Sequence, residues 1–507
     1  MLITERYEDQ IHGTISCFDR IIIQGVIPGW CYAQGMTSYL YANDIRIFDY
    51  PKFAEPLNKR IRENAERVAK ENEIEIEFIR KIRAFRKDDR IKEIIKKRGS
   101  HSGLVHIFSA METCNTYKPW HNKQTGKTYL KFAQSKCLHY YFYFIDKELG
   151  LCYLRVPTWC PFRLQFYMNG HNWLAAKLTK NNIDYVMREN AFLEISDFNK
   201  AQKISDKIRV ENLHQALDIF VTRYCPVIND YNLKYAWSLM QVEYATDIVF
   251  KQQADLNLIY DNIIRTAIHS VKPDNIASFL GKKLTLRYEG EIGNNFNTRI
   301  LGTRIKHHMG EVSIKMYDKF GIVLRIESTC NDISKFSHMR DVRHKDGTTT
   351  KRKAPMRKYI YSLFPLGKIL KDANNRYLEF VSTFDDPSDG LKSLKQISET
   401  VEDSKRTYKG FNFYNKEDQK LFEVLVRGEF NIKGFQNKTI RKFMPQKSSA
   451  SISRIIKRLY THGLIEKING TYKYYLSELG KAVITTGLRV KNLFVIPELS
   501  GIRVVSC

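Results

Sequence analysis

The sequence predicts an α+β protein of several domains: a mixed α/β N-terminal body, a helical middle, a region organised on a β-hairpin, and a C-terminal module of short helices closed by another hairpin. Three observations predict it. Strand-type and helix-type apolar patterns alternate through roughly the first two hundred residues, helical spacing takes over from about Lys200 to Leu280, and the C-terminal stretch combines helix caps with an Asn-Gly turn. At 507 residues the chain has room for roughly three to five domains. The patterns divide it into 1–100, α/β with a basic helix; 101–199, an aromatic-rich β-meander plus a helix; 200–283, a helical connector or bundle; 284–385, β-rich with a basic loop; 386–409, a linker; and 410–507, the C-terminal module.

In the first of these, Arg20–Ile23 reads as a strand, Pro51–Lys70 as a helix and Ile74–Ile79 as a second strand. From Arg80 to Arg98 the cations, among them Arg86, Arg90, Lys96 and Lys97, outnumber three acids, while Ile91, Ile94 and Ile95 form an apolar seam. That pattern is a helix with one buried stripe, its outer face either solvated or laid against a phosphate backbone.

Gly103–Ala110, Leu138–Ile145, Leu151–Val156 and Leu164–Tyr167 make the meander, and a helix follows around His171–Leu178. An RNase H-like nuclease core opens on such a meander and carries a metal-binding aspartate in its first strand, a role open here to Asp146. Lys147-Glu148-Leu149-Gly150 also reads as a hairpin turn that Asp146 starts. The aromatic run from His139 to Phe144, with Tyr153, Trp159, Phe162, Phe166 and Tyr167, is expected to divide between core and an outward platform for unpaired bases. From 200 to 283, Leu213, Leu217, Phe220 and Val221, then Trp237, Met240, Tyr244 and Ile248, are spaced for helices.

In the next region Val312–Asp318 and Ile322–Ser328 flank Lys319-Phe320-Gly321, a three-residue hairpin loop with Gly321 at the left-handed position. Pairing Asp318 with Ile322 puts Ile314, Met316, Leu324 and Ile326 on one face and Lys315, Tyr317, Val323, Arg325 and Glu327 on the other. A tyrosine beside a carboxylate and two cations offers a hydroxyl nucleophile, a metal ligand and positive charge for a developing phosphorane. Tyr317 and Glu327 are therefore the leading catalytic candidates, Asp318 and Asp146 further ones as metal ligands, and Lys315 and Arg325 candidate nucleic-acid contacts. A solvated polar hairpin face is the alternative. Arg340–Lys358, basic and poor in apolar residues, reads as a mobile loop that orders on a nucleic acid, and Thr383–Lys405 reads as a linker.

The C-terminal module is the clearest part. Asn415 caps a helix opening with Lys416, Glu417 and Asp418, and Gly428 stops it. Asn437 caps a second helix that Pro445 ends. From Ser448 to His462, Ile452, Ile455, Ile456 and Leu459 share one face, leaving Ser449, Ser453, Arg454, Lys457 and Arg458 outward. Leu464–Ile468 and Thr471–Leu476 then flank Asn469-Gly470, and Ser477-Glu478 opens a closing helix. This is the order of a winged helix-turn-helix, with a face for the major groove and a wing carrying Lys467, Tyr472 and Lys473 toward phosphates.

Lys315-Met316-Tyr317-Asp318-Lys319 with Leu324-Arg325-Ile326-Glu327 resembles a segment of phage and plasmid replication initiators, which nick DNA through a tyrosine. The phrases Ser38-Tyr39-Leu40-Tyr41-Ala42-Asn43, Lys118-Pro119-Trp120-His121 and Asn169-Gly170-His171-Asn172-Trp173-Leu174, with Lys315-Met316-Tyr317-Asp318-Lys319 again, give nearly the whole chain a resemblance to a family of bacterial proteins, some labelled MarR-type regulators for a C-terminal winged helix. The first resemblance implies strand nicking; the second implies that the N-terminal four-fifths belongs with this winged helix, and carries no activity.

A net charge of +27 and 12% aromatic residues call for a polyanionic partner with faces to stack on, nucleic acid rather than membrane. No apolar run of membrane-spanning length and no leader pattern predict the bacterial cytosol or nucleoid. Nine scattered cysteines without CxxC pairs, Cys137, Cys152 and Cys160 among them, match no zinc spacing even with His139, and no structural metal is expected. The resulting expectation is a nucleic-acid-binding protein of a mobile element or genome-maintenance system. It would recognise duplex DNA through the winged helix and handle single strands with its basic aromatic body. Cleavage, if present, would be tyrosine-dependent or use Mg²⁺ or Mn²⁺. A non-enzymatic transcription regulator and the RNA-binding component of a ribonucleoprotein are the alternatives.

Overall fold

The computed structural model describes residues 2–80, 84–231, 233–284, 288–299, 302–383, 388–403 and 406–500. The protein is mixed α/β and divides into two units, Met1–Phe384 and Asp385–Cys507.

The strands of the first unit are β1 (Ile11–Val26), β2 (Ile76–Phe78), β3 (Gly103–His121), β4 (Thr128–Asp146), β5 (Gly150–Pro157), β6 (Leu164–Asn169), β7 (Tyr185–Arg188), β8 (Ala191–Ile195), β9 (Ala236–Phe250), β10 (Ile292–Arg299), β11 (Gly302–Met309), β12 (Val312–Lys319) and β13 (Val323–Cys330). Among the described residues, eleven of them form one sheet in the order β10-β11-β12-β13-β9-β1-β6-β5-β4-β3-β2, with β7 and β8 a separate hairpin. Stretches expected to be four domains thus share one sheet and one core.

The centre of that sheet is β1 and β9. The spacing of Trp237, Met240, Tyr244 and Ile248 predicts a helix there, and this is a correction: β9 runs through all four. Its second half is buried on both faces, so the period-two alternation of a half-exposed strand is erased, and the β-branched and aromatic residues Val242, Tyr244, Thr246, Ile248, Val249 and Phe250 decide for strand. On one face Phe144 packs on Phe220 and Tyr224 of the helix Val210–Tyr224. The helix Leu363–Ser382 lies on the same layer, where Asn374 donates to the Tyr244 carbonyl and to Thr246 Oγ1.

Three irregularities interrupt the pairing of β1 with β9, one at its start between Ile11 and Gly13 and two near its middle. Phe18 faces Tyr244 and Ile21 faces Val242, so Asp19 and Arg20 together stand opposite the single residue Glu243. Ile22 then faces Gln241 while Ile23 faces Leu239, which gives β9 an extra residue at Met240 and restores the original register. Bulges of this kind re-aim side chains beside functional sites.

Two basic stretches are also ordered. The helix Lys87–Arg98 buries Ile91 against Phe108, Tyr141 and Tyr143. The expected mobile loop at Arg340–Lys358 is instead mostly a hairpin of β14 (Ser337–Arg343) and β15 (Thr349–Pro355), closed by Gly347 at a φ of +85°. Its Thr and Val positions favour pairing, and Asp346 accepts from the Thr348 amide in the turn.

The second unit begins earlier than the linker expectation allowed. Much of 386–409 is a helix, Ser388–Ser398, whose Ile397 is buried, and a hairpin of β16 (Val401–Asp403) and β17 (Arg406–Tyr408). Helices Lys416–Leu425, Gly428–Lys433, Asn437–Phe443 and Ser449–Thr461 follow, then β18 (Ile465–Lys467) paired with β19 (Tyr474–Leu476), then helix Glu478–Val490. The caps are side-chain acceptors: Asn415 takes the Glu417 and Asp418 amides, Ser448 that of Ser451, and Ser477 that of Gly480. Ile452, Ile456 and Leu459 lie in the core, and Ile455 packs at its edge.

Candidate active site

Four neighbouring strands deliver the site. In β12 and β13, Lys315 pairs with Glu327 and Tyr317 with Arg325. The sequence-based pairing of Asp318 with Ile322 is two residues out, since Asp318 faces Leu324. An even slip preserves which side chains share a face, so the predicted set holds together, and it brings Glu327 opposite Lys315. On β9, Glu243 and Asp247 share that face with Thr329 and Arg325 of β13. The bulge on β1 adds Asp19 and Arg20.

The result is a group of three carboxylates, Asp19, Glu243 and Glu327, with one oxygen from each within 4.8 Å of the others, all three residues buried. The Tyr317 hydroxyl donates to Glu327 Oε2 at 2.8 Å, and Lys315 Nζ donates to Glu327 Oε1 at 2.7 Å. Lys315 Nζ also lies 3.8 Å from Glu243, and Arg20 Nε lies 3.9 Å from it. Arg20 is exposed and Tyr317 half-buried, so the group is reached from solvent along their side.

A buried layer holds this group in place. Asp19 Oδ1 accepts from Asn169 Nδ2 at 2.9 Å and Asn190 Nδ2 at 2.7 Å, and His171 Nδ1 lies 3.1 Å from it. Asn169 also caps the helix Gly170–Lys180, which fixes His171 at its first turn. Arg325 grips Asp247 with two bonds of 2.6 Å, donates to the Asn190 carbonyl, and places Nη1 3.7 Å from Asp19.

Electrostatics follow from this packing. Burial alone would raise the Asp19 carboxyl, but the His171 hydrogen bond and the charge of Arg325 outweigh it and hold it well below the usual range. Burial likewise acts against Asp247, and Arg325 overrides it to bring the pKa to about 2. Glu243 goes the other way: burial and the adjacent charge of Glu327 raise it, with Lys315 and Arg20 offsetting only part. Burial and Glu327 push the Tyr317 phenol well above its usual value, so it is a neutral hydroxyl near pH 7 that needs a base.

The raised pKa of Glu243 makes a testable statement about stability. The folded state binds this proton more tightly than the unfolded state, so ionisation costs stability as pH rises through the folded pKa, and the cost persists at neutral pH. Glu243→Gln is expected to stabilise the first unit by about 0.5–2 kcal/mol at pH 7 and to have little effect near pH 4. Urea unfolding at the two pH values measures it; equal effects at both would exclude the charge as the cause.

The other two catalytic candidates, Asp318 and Asp146, do not join this group. Asp318 points to the opposite face of β12 and accepts from the Gly321 amide at 2.8 Å, closing the hairpin. Asp146 accepts from the Glu148 and Leu149 amides at 2.8 and 2.9 Å and starts the β4–β5 turn. Arg325, expected at the nucleic-acid surface, is fully buried, because the hairpin turn at Asn190 covers its end of the sheet. Asp19, Arg20 and Glu243 were not singled out from sequence. For Asp19-Arg20 a signal exists, a charged pair interrupting the apolar run from Ile15 to Ile23; Glu243 sat in a stretch read as helical. The carboxylate group is a candidate cation site built from Asp19, Glu243 and Glu327, without the expected ligands Asp318 and Asp146.

Of the basic helix, Arg90 is paired with Glu77 and Glu93, Lys96 and Lys97 are exposed, and Arg86 is exposed at its start. In the second unit Ser449, Ser453, Arg454, Lys457, Lys467, Tyr472 and Lys473 are exposed. Lys457 pairs with Asp403 at 2.7 Å. Arg458 turns inward: it holds Asp418 with two bonds, donates to the carbonyls of Lys409 and Gly410, and lies over the Phe411 ring. Its guanidinium ties the helix Ser449–Thr461 to its own unit. No protein family, curated protein or solved structure matches the chain.

Proposed function

We propose that the first unit cleaves a phosphodiester of single-stranded nucleic acid through Tyr317 and that the second unit is a winged helix-turn-helix that holds duplex DNA, in a mobile-element or genome-maintenance protein. One observation carries the cleavage reading: a tyrosine hydroxyl donates to a member of a three-carboxylate group that two cations flank. The resemblance of the segment 315–327 to replication initiators points the same way.

Asp19, Glu243 and Glu327 are hard oxygen donors that would hold Mg²⁺ or Mn²⁺, which supplies charge for the phosphorane. Lys315 and Arg20 add positive charge beside the phosphate. Tyr317 Oη forms the bond to phosphorus as the bond to the leaving oxygen breaks, and Glu327 takes the phenol proton. That proton, relayed through solvent, ends on the leaving oxygen. The products are a phosphotyrosyl link to one strand end and a free hydroxyl on the other. Incubating the full chain with a single-stranded oligodeoxynucleotide and Mn²⁺ should yield a covalent adduct on the peptide containing Tyr317. Absence of both adduct and cut strand with Mg²⁺ and with Mn²⁺ would end this reading.

The winged-helix reading rests on the capped helix Ser449–Thr461, its exposed Ser449, Ser453, Arg454 and Lys457, and the hairpin of β18 and β19 beside it. Changing Arg454 and Lys457 together to alanine is expected to weaken duplex binding by about 1–3 kcal/mol and to flatten its salt dependence. Titrations at two salt concentrations test it, and an unaltered affinity would move the duplex site off this helix.

A further inference from the structure

Beside the carboxylate group, on the same face of the sheet, lies a cleft of about 400 Å³, a size typical of small-ligand sites, and Arg20 alone of its lining enters the proposed chemistry. Its floor is a row of tyrosines on neighbouring strands, Tyr143 of β4, Tyr153 of β5 and Tyr167 of β6. Tyr153 pairs across the strands with both of the others, and its ring is nearly parallel to that of Tyr167, 11° at 5.0 Å. Phe85 and the first turn of the helix Lys87–Arg98 form the far wall. Tyr143 is 4% exposed, lines the cleft, and its hydroxyl has no hydrogen-bond partner among the described residues.

Arg20 joins this cleft to the site. Its guanidinium carbon lies 5.9 Å from the centre of the Tyr167 ring while its Nε lies 3.9 Å from Glu243. The rim carries both signs. Arg20 at the boundary and Arg86 and Lys87 at the far wall suit phosphates, and Asp88 and Asp89 beside them accept from the amino and imino groups of a base.

We propose that this cleft receives an unpaired nucleobase of the strand whose phosphodiester is engaged at Tyr317, stacked on the Tyr153–Tyr167 pair and hydrogen-bonded by Tyr143, with Arg20 on the intervening phosphate. This rests on reading the carboxylate group as a strand-cleaving centre. It gives the aromatic strands a role that packing alone does not require, since stacking and a basic rim are how single strands are held without sequence preference.

The test uses the unaltered full chain. A short single-stranded oligodeoxynucleotide carrying 5-iododeoxyuridine is bound, irradiated and digested, and cross-linked peptides are expected to contain Tyr153, Tyr167 or Phe85. Cross-links found only outside the cleft overturn the proposal. Two variants give a second measure by fluorescence anisotropy with the same oligonucleotide. Tyr153→Leu is expected to weaken binding about tenfold or more, and Tyr143→Phe, which removes only an unpartnered hydroxyl, by about two- to tenfold. Unchanged affinity in both also overturns it. Strand cleavage of the same oligonucleotide is scored separately. Cleavage with cross-links elsewhere removes the cleft proposal alone, and cross-links in the cleft without cleavage remove the cleavage reading alone.

Discussion

Tyr317→Phe is expected to abolish covalent strand cleavage, a loss on the order of a millionfold, while leaving oligonucleotide and cation affinity close to unchanged. The reason is local. The substitution removes only the hydroxyl that Glu327 Oε2 accepts from, and Glu327 keeps its bond from Lys315 at 2.7 Å, so the carboxylate group stays compensated. Glu327→Gln differs in kind: on the proposed reading it removes a base and a cation ligand together. Its rate should fall by about 10²–10⁴ and its Mn²⁺ affinity with it. Adduct formation on gels and Mn²⁺ titration separate the two. Continued adduct formation in Tyr317→Phe would assign the nucleophile elsewhere and leave Tyr317 as a support for Glu327.

Arg325→Met is expected to destabilise the first unit by about 3–5 kcal/mol at pH 7, because it leaves Asp247 and Asp19 buried without their shared cation. The deficit should shrink in acid. Asp247, held at about 2 by Arg325, contributes stability that is present above its unfolded value and is lost as pH falls through the folded one. The variant lacks that contribution from the start, so the gap between wild type and variant narrows as pH falls from about 4 toward 2. Thermal unfolding at neutral and acid pH checks both parts. A variant as stable as wild type at pH 7 would mean that the buried carboxylates find other partners.

These effects bear on what could be read from the amino-acid order. The helices and hairpin of the second unit were legible because their determinants are local: Asn415, Ser448 and Ser477 cap helices that follow them directly, and Asn469-Gly470 needs only its neighbours. The face carrying Lys315, Tyr317 and Glu327 was legible for the same reason, one hairpin with a short turn. Asp19 and Glu243 were not. They reach Glu327 only through pairing of β9 with β1, more than two hundred residues before it, and with β13, about eighty residues after it, and no local pattern encodes which strands become neighbours. β9 was misread because burial of both faces removes the alternation that marks a strand. Arg325 shows the limit of alternation: it identified the face correctly and could not say that Asn190 would cover it.

The paired bulges in β1 and β9 have a consequence for how the site tolerates change. Since β9 gains a residue at Met240 soon after β1 gains one at Asp19-Arg20, the strands fall out of step for only a few residues and then run in phase again. The site is a bounded phase defect, and the hydrogen-bond ladder on either side is indifferent to the chemistry placed within it. Side chains in that window can be exchanged while the sheet keeps its order, but its length is constrained. Removing one residue between Phe18 and Ile21 would leave the extra residue at Met240 uncompensated and withdraw either Asp19 or Arg20 from the face where Glu243 and Glu327 stand.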